Sequence, residues 1–484
     1  MKRIVNYMLA LSGLFAMASC SDFTEIQPKG KNLLSTTKQL EMLLNYEYLN
    51  VEGTDMFMLC GDLITVLDNV PNMISNRIET RSAIMLMWDE ANQDRMAELT
   101  ARDVDYTNCY SIIGKISNPI LSRVDVAEGD EATKQRLRCE ALVLRAYYHW
   151  ILVNKFAKAY NPETAAEDPG IPYMTEDMVV SDLAEKSTVQ QVYDNILADL
   201  QQAIEIDALP ITATNRMRMC KPCAYAAKAL ALQSMQRFDE AEAAARQALA
   251  FNDAVDNYND MLIDYTGSVL GNTYKVIYRP LLSCKEDLFF TIRQEFFNAI
   301  TPYAWNLFEE GHICRDKMTV DKMEFDYEFG LCEELMGLDY ALTFDYNSYW
   351  NGTGMKTTHM YLVIAEAEIH KGNYKEAMAA LDKVRVNRID PAVYAPLEGA
   401  VTTEAEAIKH LKQTEHGENI YSVHGFINRK RWNQLDGYKE TLTREIAGQT
   451  FTLTPESSLW IFPFPSSVTS VNPNRSLEIF ANKM

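Results

Sequence analysis

Six aromatic residues fall outside any helical period and stand among hydrogen-bonding side chains. They are Trp88 in LMWDEANQD, Tyr303 and Trp305 in ITPYAWN, and Tyr346, Tyr349 and Trp350 in DYNSYWNGTG. A sugar ring presents a face of C–H bonds that packs on an indole or phenol face, while its hydroxyls need polar partners nearby. The third cluster offers both, because Asn347, Ser348, Asn351 and Thr353 lie among its rings. These six residues are the candidate ligand contacts. As platforms they should be partly exposed, with at least two of Trp88, Trp305, Tyr346, Tyr349 and Trp350 on one concavity; as core filler they would be buried. Trp150, inside a periodic helix, and Trp432, in a basic turn, read as structural.

Reactive chemistry is poorly represented. The chain has no GxSxG elbow, no P-loop and no HExxH, and its seven histidines are scattered. With 67 Asp and Glu residues, a carboxylate pair for glycoside hydrolysis could be drawn almost anywhere, so none counts as a signal. No catalysis and no cofactor are therefore expected. The acidic stretch 256–264, DNYNDMLID, lacks the glycine of an EF-hand loop and reads as a solvated loop rather than a metal site. Cys220 and Cys223 form a lone CxxC with no second pair at zinc-site spacing. Together with Cys60, Cys109, Cys139, Cys284, Cys314 and Cys332 they read as buried or unpaired thiols, with a redox pair as the lesser alternative.

The first residues are MKRIVNYMLALSGLFAMASC, a basic head followed by an interrupted apolar run. A membrane-spanning helix needs about 20 apolar residues, so this run is too short and broken and reads as a secretory leader over residues 1–19. Ala18 and Ser19 stand directly before Cys20, the pattern of a lipobox, in which the cysteine thiol receives a diacylglyceryl group and becomes residue one. Several acyl chains, each buried CH₂ contributing about 0.8 kcal/mol, would hold the protein on a bilayer essentially permanently. Ser21 and Asp22 follow and suit surface export. Removing Lys2 and Arg3 takes the formal charge from −21 to −23, which disfavours nucleic acid and polyanionic ligands.

The elements that must position the aromatic residues are mainly helical. In the segment 133–160, Leu137, Ala141, Leu144, Tyr148 and Ile151 recur at spacings of four and three and share one helix face. Ser187 and Gln190 suggest a capping box for a helix that Pro210 must end. The segment 221–250 reads as a helical hairpin whose Phe238, Ala241 and Ala248 match the second half of a tetratricopeptide repeat. A similar hairpin returns at 358–388, where Gly372 ends the first helix and Tyr374 and Ala377 repeat the spacing of Phe238 and Ala241. Residues 252–357 interrupt these repeats with many Tyr, Phe and Gly residues. The expected organisation is a single body over 20–484: a helical half to 251, a loop-rich aromatic region over 252–357, and a closing portion over 358–484. Strands are expected only as short pairs in 252–357 and near the C-terminus.

Several stretches, in order along the chain, carry a family resemblance: SDFTEIQPKG after Cys20, CEALVLRAYYHWILVNKFA from Cys139, GIPYM from Gly170, VYDNILADLQQAI from Val192, MYLVIAEAEIHKGNYKEAMAALDKVR from Met360 and FTLTPESSLWIFPFPSSVTSVNPN from Phe451. Together with the lipobox and the split repeats they resemble the SusD/RagB family of nutrient-uptake lipoproteins. The resemblance implies a mostly α SusD-like fold, split tetratricopeptide-like repeats with a loop-rich ligand-binding portion, and no enzymatic activity. It also implies a lipid-anchored protein on the outer membrane, facing outward, that captures a glycan or similar nutrient for a SusC-like TonB-dependent transporter. The alternative is a tetratricopeptide-type protein-interaction scaffold on the same membrane. One stretch departs from the family pattern: in ENIYSVHGFINRKRWNQ, His424, Lys430, Arg431 and Trp432 stay in register, but Asn428 stands where the family has Asp.

Overall fold

In the computed structural model of the chain, the described residues are 34–45, 53–60, 63–65, 80–178, 185–266, 273–293, 297–300, 302–321, 340–343, 349–420, 422–446 and 449–471. The molecule is organised around helix α1, Glu131–Phe156, which opens where Asp130 accepts from the Thr133 N–H at 2.8 Å. The expected face, Leu137, Ala141, Leu144, Tyr148 and Ile151, is buried, but so is almost everything from Cys139 to Phe156. The polar residues of that stretch are buried with partners from distant segments. Arg145 holds Asp199 through two hydrogen bonds at 2.7 and 2.8 Å, and Lys155 donates to Asp103 at 2.9 Å and to Asp105 at 2.6 Å. Charged groups tolerate burial only when paired in this way.

Helix α2, Val189–Ile206, lies along α1. Its capping box is Thr188 with Gln191, one residue later than the expected Ser187 with Gln190. The shift has a local cause: the Ser187 N–H is committed to the Ile171 carbonyl, and Gln190 donates to Asp194 instead. The helix ends at Asp207, in the left-handed region, before Pro210.

Helices α3, Lys221–Ser234, and α4, Phe238–Phe251, form the first hairpin; α5, Thr357–His370, and α6, Tyr374–Arg385, form the second. Although residues 252–356 separate them in sequence, α4 packs directly on α5, so the hairpins make one continuous stack. Ala241, Ala245, Ala248, Ala365 and Ala377 are fully buried, and with only a methyl group each they let the backbones approach closely. Phe238 stacks on His370 with ring centroids 3.9 Å apart. Gly372, at φ +77°, supplies the left-handed residue that turns α5 into α6. Helices α7, Glu404–Asn419, and α8, Val423–Trp432, continue the stack. The stretch with Asn428 is thus helical rather than a turn, and Asn428 joins Glu415, which accepts from its Nδ2 at 2.8 Å, to Arg431, whose Nε donates to its Oδ1 at 3.0 Å.

Strands are short. A four-stranded antiparallel sheet runs in the order Leu63–Thr65, Phe297–Ile300, Tyr340–Thr343, Thr319–Asp321, with Ile64 opposite Ala299, Ala299 opposite Ala341 and Val320 opposite Ala341. Its first strand comes from outside the regions expected to hold strands. A hairpin of Leu442–Ile446 and Gln449–Leu453 closes the C-terminal portion. Among the described residues no helix is long and apolar enough to cross a membrane. Beside the main core, the interrupting region has a small core of its own, which includes Tyr258, Phe308, Ile313, Met318 and Trp350.

Candidate functional site

Tyr303 and Trp305 sit on one helical turn and a half, Pro302–Leu307, two residues apart and therefore on different sides of it. Tyr303 packs on the main core and Trp305 on the small one, and both rings stay half-buried. The Tyr303 hydroxyl donates to Glu440 Oε1 at 2.8 Å, and the Arg429 guanidinium lies 5.9 Å from the ring centroid. Lys412 donates to the other Glu440 oxygen at 3.0 Å. Burial raises the Glu440 carboxyl, but Lys412 and the Tyr303 hydrogen bond outweigh it and hold the group below its usual range. The Arg315 guanidinium lies 5.3 Å from the Trp305 ring. Each half-buried ring thus has a cation beside it, and Tyr303 also has a carboxylate, chemistry that suits ring stacking and hydroxyl recognition, but the two rings are not on one face.

Trp350 is a correction to the expectation of exposed platforms: it is 7% exposed, edge-on to Tyr258 at 6.0 Å, with the Arg279 guanidinium 5.3 Å from its ring. Its polar neighbours are equally committed. Asn351 Nδ2 donates to Asp287 Oδ1 and to the Phe289 carbonyl, both at 2.9 Å, while its Oδ1 accepts from the N–H groups of Thr291 and Gly354 at 3.2 and 3.0 Å. The Thr353 hydroxyl is hydrogen-bonded to that of Thr291 at 2.5 Å. An amide with all four positions filled inside the protein holds a loop in shape and has nothing left for a ligand. Burial pushes the Asp287 carboxyl up to about 6, against the pull of Arg279.

Trp88 is the second correction, being 6% exposed. Its indole N–H donates to the Leu59 carbonyl at 2.7 Å, and the Arg444 guanidinium lies 4.4 Å from its ring. Its φ of +48° is unusual for a bulky residue, and such a backbone persists only where surrounding contacts fix it. Tyr349 is half-buried against the main core, and its N–H donates to the Arg279 carbonyl at 3.0 Å. Tyr346 and Cys20 lie outside the described residues. Trp305 and Trp350 thus share one small core, while Trp88 and Tyr303 are held elsewhere. Trp150 and Trp432 are structural as expected: their indole N–H groups donate to Ser234 Oγ and Glu366 Oε1, both at 3.0 Å.

Beneath this region lies a buried ion network. Arg388 donates to Glu418 and, at 2.8 Å, to Glu286; Glu286 also takes Arg279 at 2.8 Å, and Lys356 donates to Glu418 Oε2 at 3.1 Å. Burial would raise the Glu418 carboxyl, but Arg388 and Lys356 hold it well below the usual carboxylate range. The network ties Arg279 and Glu286 to the start of α5 at Lys356, the segment just after α6 at Arg388, and α7 at Glu418, and so fixes the loop region on the repeats.

One concavity had no signal in the sequence. A cavity of 360 Å³ opens between the segment after α1 and the C-terminal portion, lined by Lys158, Asn161, Asp168, Asn433, Ser458 and Trp460 among others. It lies within the range of small-ligand sites. Lys158 is paired with Asp168 at 2.8 Å, and the Trp460 N–H donates to the Thr454 carbonyl at 2.9 Å. Its lining comes from segments hundreds of residues apart, and nothing in the sequence of any one of them marks a cavity. Among the described residues there is no group of three His, Cys, Asp or Glu side chains placed to hold a metal ion.

Residues 60–232 match the SusD-like_3 family model, described as starch-binding and associating with the outer membrane. Solved structures share the fold over nearly the whole chain. A SusD superfamily protein from Bacteroides thetaiotaomicron has a TM-score of 0.65 and 16% identity, covering 91% of this chain and 98% of that one. A surface glycan-binding protein A from Bacteroides uniformis has 0.62 and 16%, covering 92% and 100%. A SusD-like carbohydrate-binding protein from Bacteroides fragilis has 0.63 and 14%, covering 93% and 100%. Comparison with curated protein sequences gave no match. The chain therefore has a SusD-like fold, and its residues 60–232 resemble the SusD-like_3 family in sequence as well.

Proposed function

We propose that this protein is a lipid-anchored, surface-facing outer-membrane component that captures a neutral oligosaccharide and delivers it to a TonB-dependent transporter. The observation that carries the reading is the SusD-like fold over 91% of the chain, combined with the family match at residues 60–232. The strongly acidic balance agrees with a neutral ligand. Cys20 is the anchor. Trp305 and Tyr303 are the ring contacts, with Tyr349 and Tyr346 as further candidates; Trp88 and Trp350 are buried and serve packing. The protein binds without altering its ligand and needs no cofactor.

A specific observation favours a protein contact on a different surface. A cavity of 390 Å³ lies on the repeat stack and is lined by Leu249, Tyr361, Ile364, Ala379, Ala380 and Lys383, among others. Grooves between paired helices accept apolar side chains of a partner, and this face is the docking surface proposed for the transporter. The test of the ligand reading is a calorimetric screen of neutral oligosaccharides against the chain that starts after Cys20. Binding of at least one is expected; uniform absence of heat, with reducing sugar released instead, would indicate an enzyme.

A further inference from the structure

The sequence CKPC opens helix α3. Cys220 is the N-cap residue, with extended backbone at φ −132° and ψ 174°, and Pro222 lies in the first turn with no N–H to leave unpaired. The first turn then brings Cys223 back over Cys220: the Cys223 N–H donates to the Cys220 carbonyl at 3.0 Å, and the two Sγ atoms stand 3.1 Å apart. A disulfide requires about 2.05 Å between sulfurs with the Cβ atoms close together. Two sulfurs already in contact reach that separation by small side-chain rotations, with the helix start unchanged. Among the described residues no third His, Cys, Asp or Glu joins the pair as a metal site.

We propose that Cys220 and Cys223 close into an intrachain disulfide in the mature protein. The step rests on the export reading given above, because thiols in an oxidising compartment meet disulfide donors. The oxidant is the disulfide of a dithiol oxidoreductase. The Cys220 thiolate attacks one donor sulfur and displaces the other as a thiolate, forming a mixed disulfide. The Cys223 thiolate then attacks Cys220 Sγ and releases the donor fully reduced, so two protons and two electrons leave the pair and reduce the donor. Both side chains are at most 2% exposed once the chain is folded, so the exchange belongs to folding, and the finished bond is shielded from reductants. In the reduced chain the Cys223 thiol donates to the Leu288 carbonyl at 3.2 Å, a hydrogen bond that oxidation gives up.

Trypsin cuts after Arg218 and Lys228 but not between Lys221 and Pro222, so one peptide, 219–228, carries both cysteines. Full-length protein from cell envelopes is denatured, alkylated without reductant and mapped by mass spectrometry. The expected peptide is unalkylated and lighter by two hydrogen atoms, and takes two alkyl groups only after reduction. Two alkyl groups without reduction, or a cross-link to a peptide holding another cysteine, would overturn the proposal. A second arm refolds the purified chain in a glutathione redox buffer. Persistence of the free dithiol there would overturn the geometric claim wherever the protein resides, while fractionation of the same cells tests export separately. Cys220→Ser with Cys223→Ser should fold and lose the reductant-induced drop in melting temperature that the parent shows.

Discussion

The imidazole of His359 lies against that of His424, with ring centroids 3.9 Å apart and planes tilted by 36°. His424 Nε2 is hydrogen-bonded to the Gly354 carbonyl at 2.9 Å and lies 3.2 Å from the Tyr147 hydroxyl, which donates to the Thr353 carbonyl at 2.9 Å. Three separate parts of the chain, α1, the 353–359 segment and α8, therefore meet at a pair of buried imidazoles.

Burial keeps these rings neutral. It pushes His424, His149 and His312 down to about 3, and His359 well below its ordinary value. The unfolded chain binds protons at these sites near pH 6.5 and the folded chain does not, so stability is full above pH 6.5 and declines as the pH falls toward 3. Each imidazole should cost roughly 2 kcal/mol between pH 7 and pH 5. Asp287, raised to about 6, acts in the opposite sense and returns only about 1 kcal/mol over the same range. Urea unfolding at pH 7, 6 and 5 should show a midpoint that falls steadily, and a midpoint unchanged to pH 5 would mean that these rings are charged or exposed.

Glu418→Gln leaves Arg388 and Lys356 buried with a neutral amide in place of the carboxylate they share. Removing one partner from a buried pair typically costs about 3–5 kcal/mol. The measurement is the free energy of unfolding in denaturant at pH 7; a loss below about 1 kcal/mol would place the pair in water.

Trp350→Ala and Trp305→Ala should separate packing from binding. The buried Trp350 ring leaves a cavity and should cost about 3–5 kcal/mol of stability. The half-buried Trp305 should cost clearly less. Equal drops in melting temperature would mean that Trp305 is as deeply packed as Trp350.

Much of the helical scaffold was legible because it follows local rules. The alanines and aromatics at tetratricopeptide spacing marked both hairpins, and Gly372 marked the turn between α5 and α6 at the position where a positive φ is found. The burial of the ring candidates was not legible, because it depends on partners far away in sequence. Trp88 is covered by Arg444 and Trp350 by Arg279, and Asn351 and Thr353, which looked like hydroxyl-binding groups, are consumed by Asp287 and Thr291. A polar residue beside an aromatic one carries the same sequence signal whether its partner is a sugar or another loop. The burial of Arg145 and Lys155 on α1 was equally hidden, since they are answered by Asp199, Asp103 and Asp105 from other segments.

Cys20→Ala removes the proposed acylation site. The variant should appear as a soluble or uncleaved product, and metabolic labelling with a fatty-acid analogue should fail to mark it. Labelling that persists in the variant would place the lipid elsewhere.

The most direct test of the central claim is calorimetric titration of the soluble chain, starting after Cys20, with the neutral oligosaccharide that scores best in a glycan screen, alongside Trp305→Ala. The account predicts saturable binding by the parent chain, unchanged ligand at the end of the titration, and at least a tenfold weaker association for the variant with its fold intact. Loss of one stacked ring worth about 1.4 kcal/mol would produce that factor. Binding of equal strength by Trp305→Ala would remove Trp305 from the site, and the absence of binding to any neutral oligosaccharide would contradict the account itself.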